Sequence, residues 1–160
     1  MRGRFWRATG SAMLRSALLF TSLTASLSAQ QAAQDTDELT ILSRRASQLS
    51  RIGNFAEAIP ISQRVLALAE QRFAPNHPDV AVALGSLAYL YLARDRHAEA
   101  EPLYRRLLSI YESVPGYDDG QVWTVLTRLA TVYRAQGRET DADTLTTRAQ
   151  AIEKKDHRPI

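Results

Sequence analysis

The chain has 160 residues, 45% of them hydrophobic and 23% charged, enough apolar material to bury a core as one domain and too much for disorder throughout. Its formal net charge is +3, but Arg2, Arg4, Arg7 and Arg15 all fall near the N-terminus; beyond them 16 Lys and Arg face 17 Asp and Glu, which removes any global case for nucleic-acid binding. Cysteine is absent, excluding disulfides, thiolate metal sites, a thiol nucleophile and a lipidated Cys after the leader.

Residues 1–29 combine that arginine-rich start with a moderately apolar run from Ser16 to Ala29 that ends in small residues. The pattern predicts a signal peptide cleaved after Ser28 or Ala29, since the run is too short for the roughly 20 residues a bilayer span needs. The expectation is a periplasmic or secreted protein. The alternatives are a membrane anchor through an uncleaved leader, an organelle transit peptide or a plain tail. Residues 30–35, with Gln30, Gln31 and Gln34, read as a polar linker.

From 36 to 154 the chain repeats itself. An offset of 42 carries Gly53, Asn54, Phe55, Ala56, Glu57 and Ala58 onto Asp95 to Ala100, and those onto Gly137 to Ala142. A fixed period in this range is the signature of a solenoid, each unit burying its apolar face against its neighbours. Three helical hairpins are predicted, with helices at about 36–52 and 55–73, 79–94 and 97–113, and 120–136 and 139–154; the repeats span about 38–76, 80–118 and 122–153, and 155–160 is a tail.

Helical spacing sets the packing faces. First helices carry Leu39, Leu42, Ala46 and Leu49, then Ala81, Leu84, Leu87, Ala88 and Tyr91, then Trp123, Leu126, Leu129, Ala130 and Tyr133, with Arg45 alone breaking the pattern. Second helices carry Ala58, Ile61, Val65 and Leu68, then Ala100, Leu103, Leu107 and Ile110, then Ala142, Leu145, Ala149 and Ile152. The alanines at 46, 88 and 130 and at 58, 100 and 142 mark close helix crossings that a larger side chain would overpack. Gly53 and Gly137 suit a helix end with positive φ, and Asp95 substitutes between them. Asp79 and Asp119 are candidate N-caps. Pro60 and Pro102 fall about five residues into second helices, so those helices start later than drawn or kink there.

With Leu84, Leu87, Ala88, Tyr91, Ala100 and Tyr104, the middle unit resembles a tetratricopeptide repeat. The 42-residue period, HPDVA from His77 to Ala81 and EAEPLYRR from Glu99 to Arg106 are similar to the kinesin light chain type. The first unit departs from the pattern with Arg45 and with Ser62, where an aromatic is usual. The proline of EAEP belongs to that family's pattern. The resemblance implies an all-α fold, a right-handed α-solenoid of three tetratricopeptide hairpins whose concave surface, lined by first helices, holds a peptide or another protein. It transfers no catalytic residue.

On that arrangement the residues off the packing face of first helices point into the groove: Arg44, Ser47 and Arg51; Ser86 and Tyr89; Thr127, Arg128, Thr131 and Arg134, flanked by Thr40, Ser43, Gly85, Leu92 and Thr124. Arginines at both ends of an aromatic centre suit an acidic segment or a C-terminal carboxylate, because guanidinium grips carboxylate bidentately. The asparagine-rich lining common in the kinesin light chain group and the Lys and Asn clamp of chaperone-binding repeats are missing from it.

Other chemistry finds no constellation. His77, His97 and His157 lack a partner at metal-ligand spacing, and His77 reads as loop punctuation. Asp118 and Asp119 read as turn and cap residues, without calcium-loop spacing. No phosphate loop, nucleophile elbow or zinc-protease motif occurs. Arg105 and Arg106, like Arg44 and Arg45, are pairs on largely solvated faces. No catalytic residue, metal or cofactor is therefore assigned. The expectation is a non-catalytic protein- or peptide-binding scaffold or adaptor in a cell-envelope assembly. Its alternatives are a homo-oligomer joined through its stack ends and an accessory subunit of an envelope enzyme.

Overall fold

A computed structural model describes residues 38–156. The predicted leader and linker lie outside the described residues. The chain divides into two units, Met1–Thr40 and Ile41–Ile160; the helices lie in the second, apart from residues 38–40 at the start of the first helix.

Six helices and no strand occur among the described residues: α1 over 38–51, α2 Phe55–Arg72, α3 Pro78–Leu92, α4 His97–Ser113, α5 Asp119–Ala135 and α6 Glu139–Asp156. From α2 onward each helix packs on the next in sequence order, as a helical repeat requires.

The core follows the 42-residue register. Ala88, Ala100 and Ala142 are fully buried, as are Ala58 and, within a few per cent, Ala130 and Ala46. Around these crossings lie Leu84, Leu87, Leu90, Tyr91, Tyr104, Leu107, Leu126, Leu129 and Tyr133. Arg45 is exposed, as its break in the apolar pattern implies. Trp123 departs from expectation: it is 38% exposed at the repeat position where Ala81 is buried.

The three hairpin turns are one structure written three times. Gly53, Asp95 and Gly137 have φ of 77°, 55° and 75°. The following N–H groups of Asn54, Arg96 and Arg138 each reach 2.9 Å to the carbonyls of Leu49, Tyr91 and Tyr133, closing the first helix of each pair. The same three residues then bond forward: Asn54 Nδ2 to Glu57 (2.8 Å), Arg96 Nε to Glu99 (2.9 Å) and Arg138 Nε to Asp141 (2.9 Å).

The N-caps differ from the predicted ones. His77 caps α3, its Nδ1 accepting from the Asp79 N–H at 3.2 Å while its ring stacks on Phe73 at 4.3 Å, so it is a structural cap and not mere punctuation. Pro78 takes the first helical position, where its missing N–H costs nothing, and this pushes Asp79 into the first turn. Asp118 caps α5 in a reciprocal capping box with Gln121, with Asp119 one residue inside. Pro60 and Pro102 lie within α2 and α4, which run through them. Both prolines and the residues four before them, Ala56 and Ala98, are exposed, so the carbonyl deprived of a partner faces water.

Arg106 is also more than a solvated charge. It pairs with Glu70 across α4 and α2, and 42 residues on Arg148 pairs with Glu112 across α6 and α4. Each is half-exposed and worth less than about 1 kcal/mol, but the repetition holds second helices in a common register.

Ala88→Trp should lower stability by about 3 kcal/mol or more, because no neighbouring backbone can retreat from a fully buried crossing. Thermal melting checks this; an unchanged melting temperature would refute the register. Gly137→Ala should cost about 1 kcal/mol from backbone strain alone, since an added Cβ there meets nothing within 4 Å.

Candidate functional site

The two first helices α3 and α5 stand on either side of α4, and between them is a groove of about 390 Å³. Its walls are Ala81, Val82, Gly85, Ser86 and Tyr89 of α3 and Gln121, Thr124, Val125 and Arg128 of α5; Tyr104, Leu107 and Tyr111 of α4 form the floor. His77 and Asp118, by capping α3 and α5, fix where these walls begin.

Tyr89 is 40% exposed and held from two directions. Phe55 meets it edge to face at 6.4 Å, and the Arg128 guanidinium lies over its ring at 5.1 Å. Among the described residues no carboxylate pairs with Arg128. The wall hydroxyls are committed to their own helices: Ser86 Oγ donates to the Val82 carbonyl at 2.8 Å and Thr124 Oγ1 to that of Gly120 at 2.9 Å. Their oxygens therefore face the groove as acceptors, and Arg128 is its cationic donor. Tyr111 packs against Tyr117 with the rings tilted and their centroids 4.4 Å apart, and burial pushes its phenol above the ordinary value, with Tyr117 and Asp118 adding to the rise.

Of the nine groove residues read from the sequence, Ser86, Tyr89 and Arg128 line this groove. Arg44, Ser47 and Arg51 are exposed on α1, with Ser47 Oγ bonded to the Ser43 carbonyl. Thr127 and Thr131 are exposed on α5 and bonded to carbonyls four residues back. Arg134 turns to α6, where its guanidinium donates to Thr146 Oγ1 at 2.8 Å and approaches Asp143 at 3.6 Å. The sequence reading missed the floor. Tyr104, Leu107 and Tyr111 belong to a second helix and carry the spacing of core residues, so only the open space above them reveals a second role.

The surrounding charge is largely paired. Arg138 donates to Glu101 at 2.9 Å and to Asp141, and lies 3.9 Å from the centre of the Tyr133 ring; Lys155 reaches Asp119 at 2.7 Å. Among the described residues no cluster of three or more metal-ligating side chains occurs, and no helix is long and apolar enough to cross a membrane.

The repeated hairpins and their periodic turns have a counterpart among known families: the tetratricopeptide repeat model matches residues 37–113 and 86–155. The chain belongs to the tetratricopeptide repeat family. Such repeats are protein-interaction modules, and their fold is generally non-catalytic. Among solved structures, the chain is similar to kinesin light chain-type TPR-like repeats from Podosopora anserina (23% identity, TM-score 0.62, 76% of this chain and 57% of that one). It is also similar to BtubC (BKLC) from P. vanneervenii (21%, 0.72, 93% and 61%). A third relative in fold is the TPR domain of Arabidopsis FLU (15%, 0.64, 76% and 98%). The kinesin light chain-like repeat type thus occurs in solved folds of the same kind. The chain spans 57% and 61% of the first two of these proteins. No curated protein matches it.

The ion pair at Glu101 gives a pH test. Burial alone would raise its carboxyl, but hydrogen bonds from Arg138 and Gln136 and the charges of Arg138 and Arg105 outweigh it and hold the carboxyl below the usual value of 4.5. A carboxyl with a depressed folded pKa stabilises fully above its unfolded value and loses that contribution as pH falls through the folded one. Glu101→Gln should therefore melt below wild type at pH 7, with the gap narrowing below pH 4.5. A gap independent of pH in a melting series would show that the pair is not its source.

Proposed function

We propose that this chain is a non-catalytic adaptor of the cell envelope that captures a peptide segment of a partner protein across α3 and α5. The observation that carries the reading is Arg128, resting on the Tyr89 ring over an open groove with no carboxylate of its own. Acceptor oxygens on Ser86 and Thr124 suit the N–H groups of an extended segment, and the guanidinium suits its acidic or C-terminal group. Export rests on the arginine-rich, small-residue-terminated pattern of residues 1–29.

Joining of stacks through their ends finds less support. Where α4 carries Tyr104, Leu108 and Tyr111, the same repeat positions of α6 are Thr146, Gln150 and Glu153, which would leave an α6 joint little apolar area to bury.

The test is affinity capture from native envelope extract with the wild-type protein and with Tyr89→Ala/Arg128→Ala, bound proteins being identified by mass spectrometry. The variant should keep the melting temperature within a few degrees and lose the partner. A partner retained equally by both would move the working surface away from this groove.

A further inference from the structure

We propose that the outward face of α1 is a second docking surface, and that its occupant is an amphipathic helix of another protein with apolar residues three turns apart and carboxylates between them. The proposal does not depend on the groove between α3 and α5.

The repeat register shows what this face is shaped to take. A second helix precedes both α3 and α5 and packs on each, α2 on α3 and α4 on α5. In α3 this packing leaves Ala83, Leu87 and Leu90 at 4% exposure or less, and in α5 it does the same for Val125, Leu129 and Val132. The matching positions of α1 are Ile41, Arg45 and Gln48, and all three are exposed. α1 therefore presents the surface on which a second helix sits in a stack of this kind.

The side chains on it are not those of an ordinary solvated end. Ile41 is 62% exposed and Ile52 76%. They stand three turns apart on one face, about 16 Å along the axis. Ile52 occupies the position of Arg94 and Gln136, so the first repeat alone is apolar there. Between the two isoleucines Arg45 and Gln48 replace the buried aliphatic residues of the later repeats, and Arg44 and Arg51 run along one edge, both exposed.

Charge decides between occupants. Arg96, Arg106, Arg134, Arg138 and Arg148 each face a carboxylate. Among the described residues no carboxylate pairs with Arg44, Arg45 or Arg51. A second copy docked α1 to α1 would bring two sets of these guanidinium groups together, and one docked through α6 would set Thr146 and Gln150 against the isoleucines. A helix with acids in its middle meets both demands: its apolar residues cover Ile41 and Ile52, and its carboxylates accept from the guanidinium groups between and beside them. The apolar ends supply the anchor, and the exposed ion pairs select the partner.

The probe is the peptide acetyl-AQLAKQEAAEQKALQA-amide, which as a helix sets two leucines three turns apart with two glutamates between them on one face, in a spacing that reads alike in either direction. Binding to the full-length protein is followed by the backbone amide shifts of Ile41, Gln48 and Ile52, with Gly85 and Thr124 reporting on the groove. The shifts should be confined to α1, and replacing both glutamates by glutamine should weaken binding about fivefold or more. Ile41→Gln/Ile52→Gln should abolish binding while leaving the melting temperature within a few degrees, because both side chains are exposed. Equal affinity of the glutamate and glutamine peptides would overturn the proposal, as would the absence of shifts on α1 or their appearance at Gly85 and Thr124 instead. Sedimentation of the protein alone covers the remaining occupant: a dimer that Ile41→Gln/Ile52→Gln dissociates would give this face to a second copy and overturn the assignment to another protein.

Discussion

Everything in this fold depends on how closely paired helices approach. At Ala88 and Ala100, and again at Ala130 and Ala142, there is no room for more than a methyl group. That contact lets Leu84, Leu87, Tyr91, Tyr104 and Leu107 interdigitate around it, and stacking the next pair buries the outer faces of the last. Because each unit leans only on its neighbours, an error at one crossing costs the local core and both adjoining interfaces.

The turns enforce the same geometry without much apolar surface. A single residue with positive φ ends the first helix, and the next residue closes it by a backbone bond and then bonds to an acid three residues on. Asp95 shows that the conformation, and not glycine itself, is what the turn needs. Arg96 and Arg138 lay their guanidinium groups over Tyr91 and Tyr133 as well, tying the turn to the face of the helix it follows. Glu70 with Arg106 and Glu112 with Arg148 carry the register from one second helix to the next.

The groove arises where the repeats differ. The position of Tyr89 is Ser47 in the first repeat and Thr131 in the third; that of Arg128 is Arg44 and Ser86 in the earlier ones; that of Tyr104 is Ser62 and Thr146. Residues common to all three repeats maintain the stack and are spent on it. The ones that vary are free to define what the surface between α3 and α5 prefers, and they bring two phenols and a guanidinium without a carboxylate partner into one concavity.

Periodicity alone was sufficient to place the six helices, the alanine crossings and the three turns, because each is a local or nearest-neighbour property that recurs every 42 residues. Helix starts were less legible: Pro78 and the Asp118–Gln121 box compete with the acids beside them, and the choice of cap depends on φ and hydrogen-bond geometry. Only the tertiary structure separated the arginines. Arg44, Arg128 and Arg134 look alike in sequence, yet one lies exposed on α1, one stacks on Tyr89, and one is drawn to Asp143 and Thr146 of α6. A side chain's partner is decided by which helix lies opposite it. The same reason hid Tyr104, whose spacing marks it as core and whose place on the groove floor shows only once α3 and α5 stand on either side of α4.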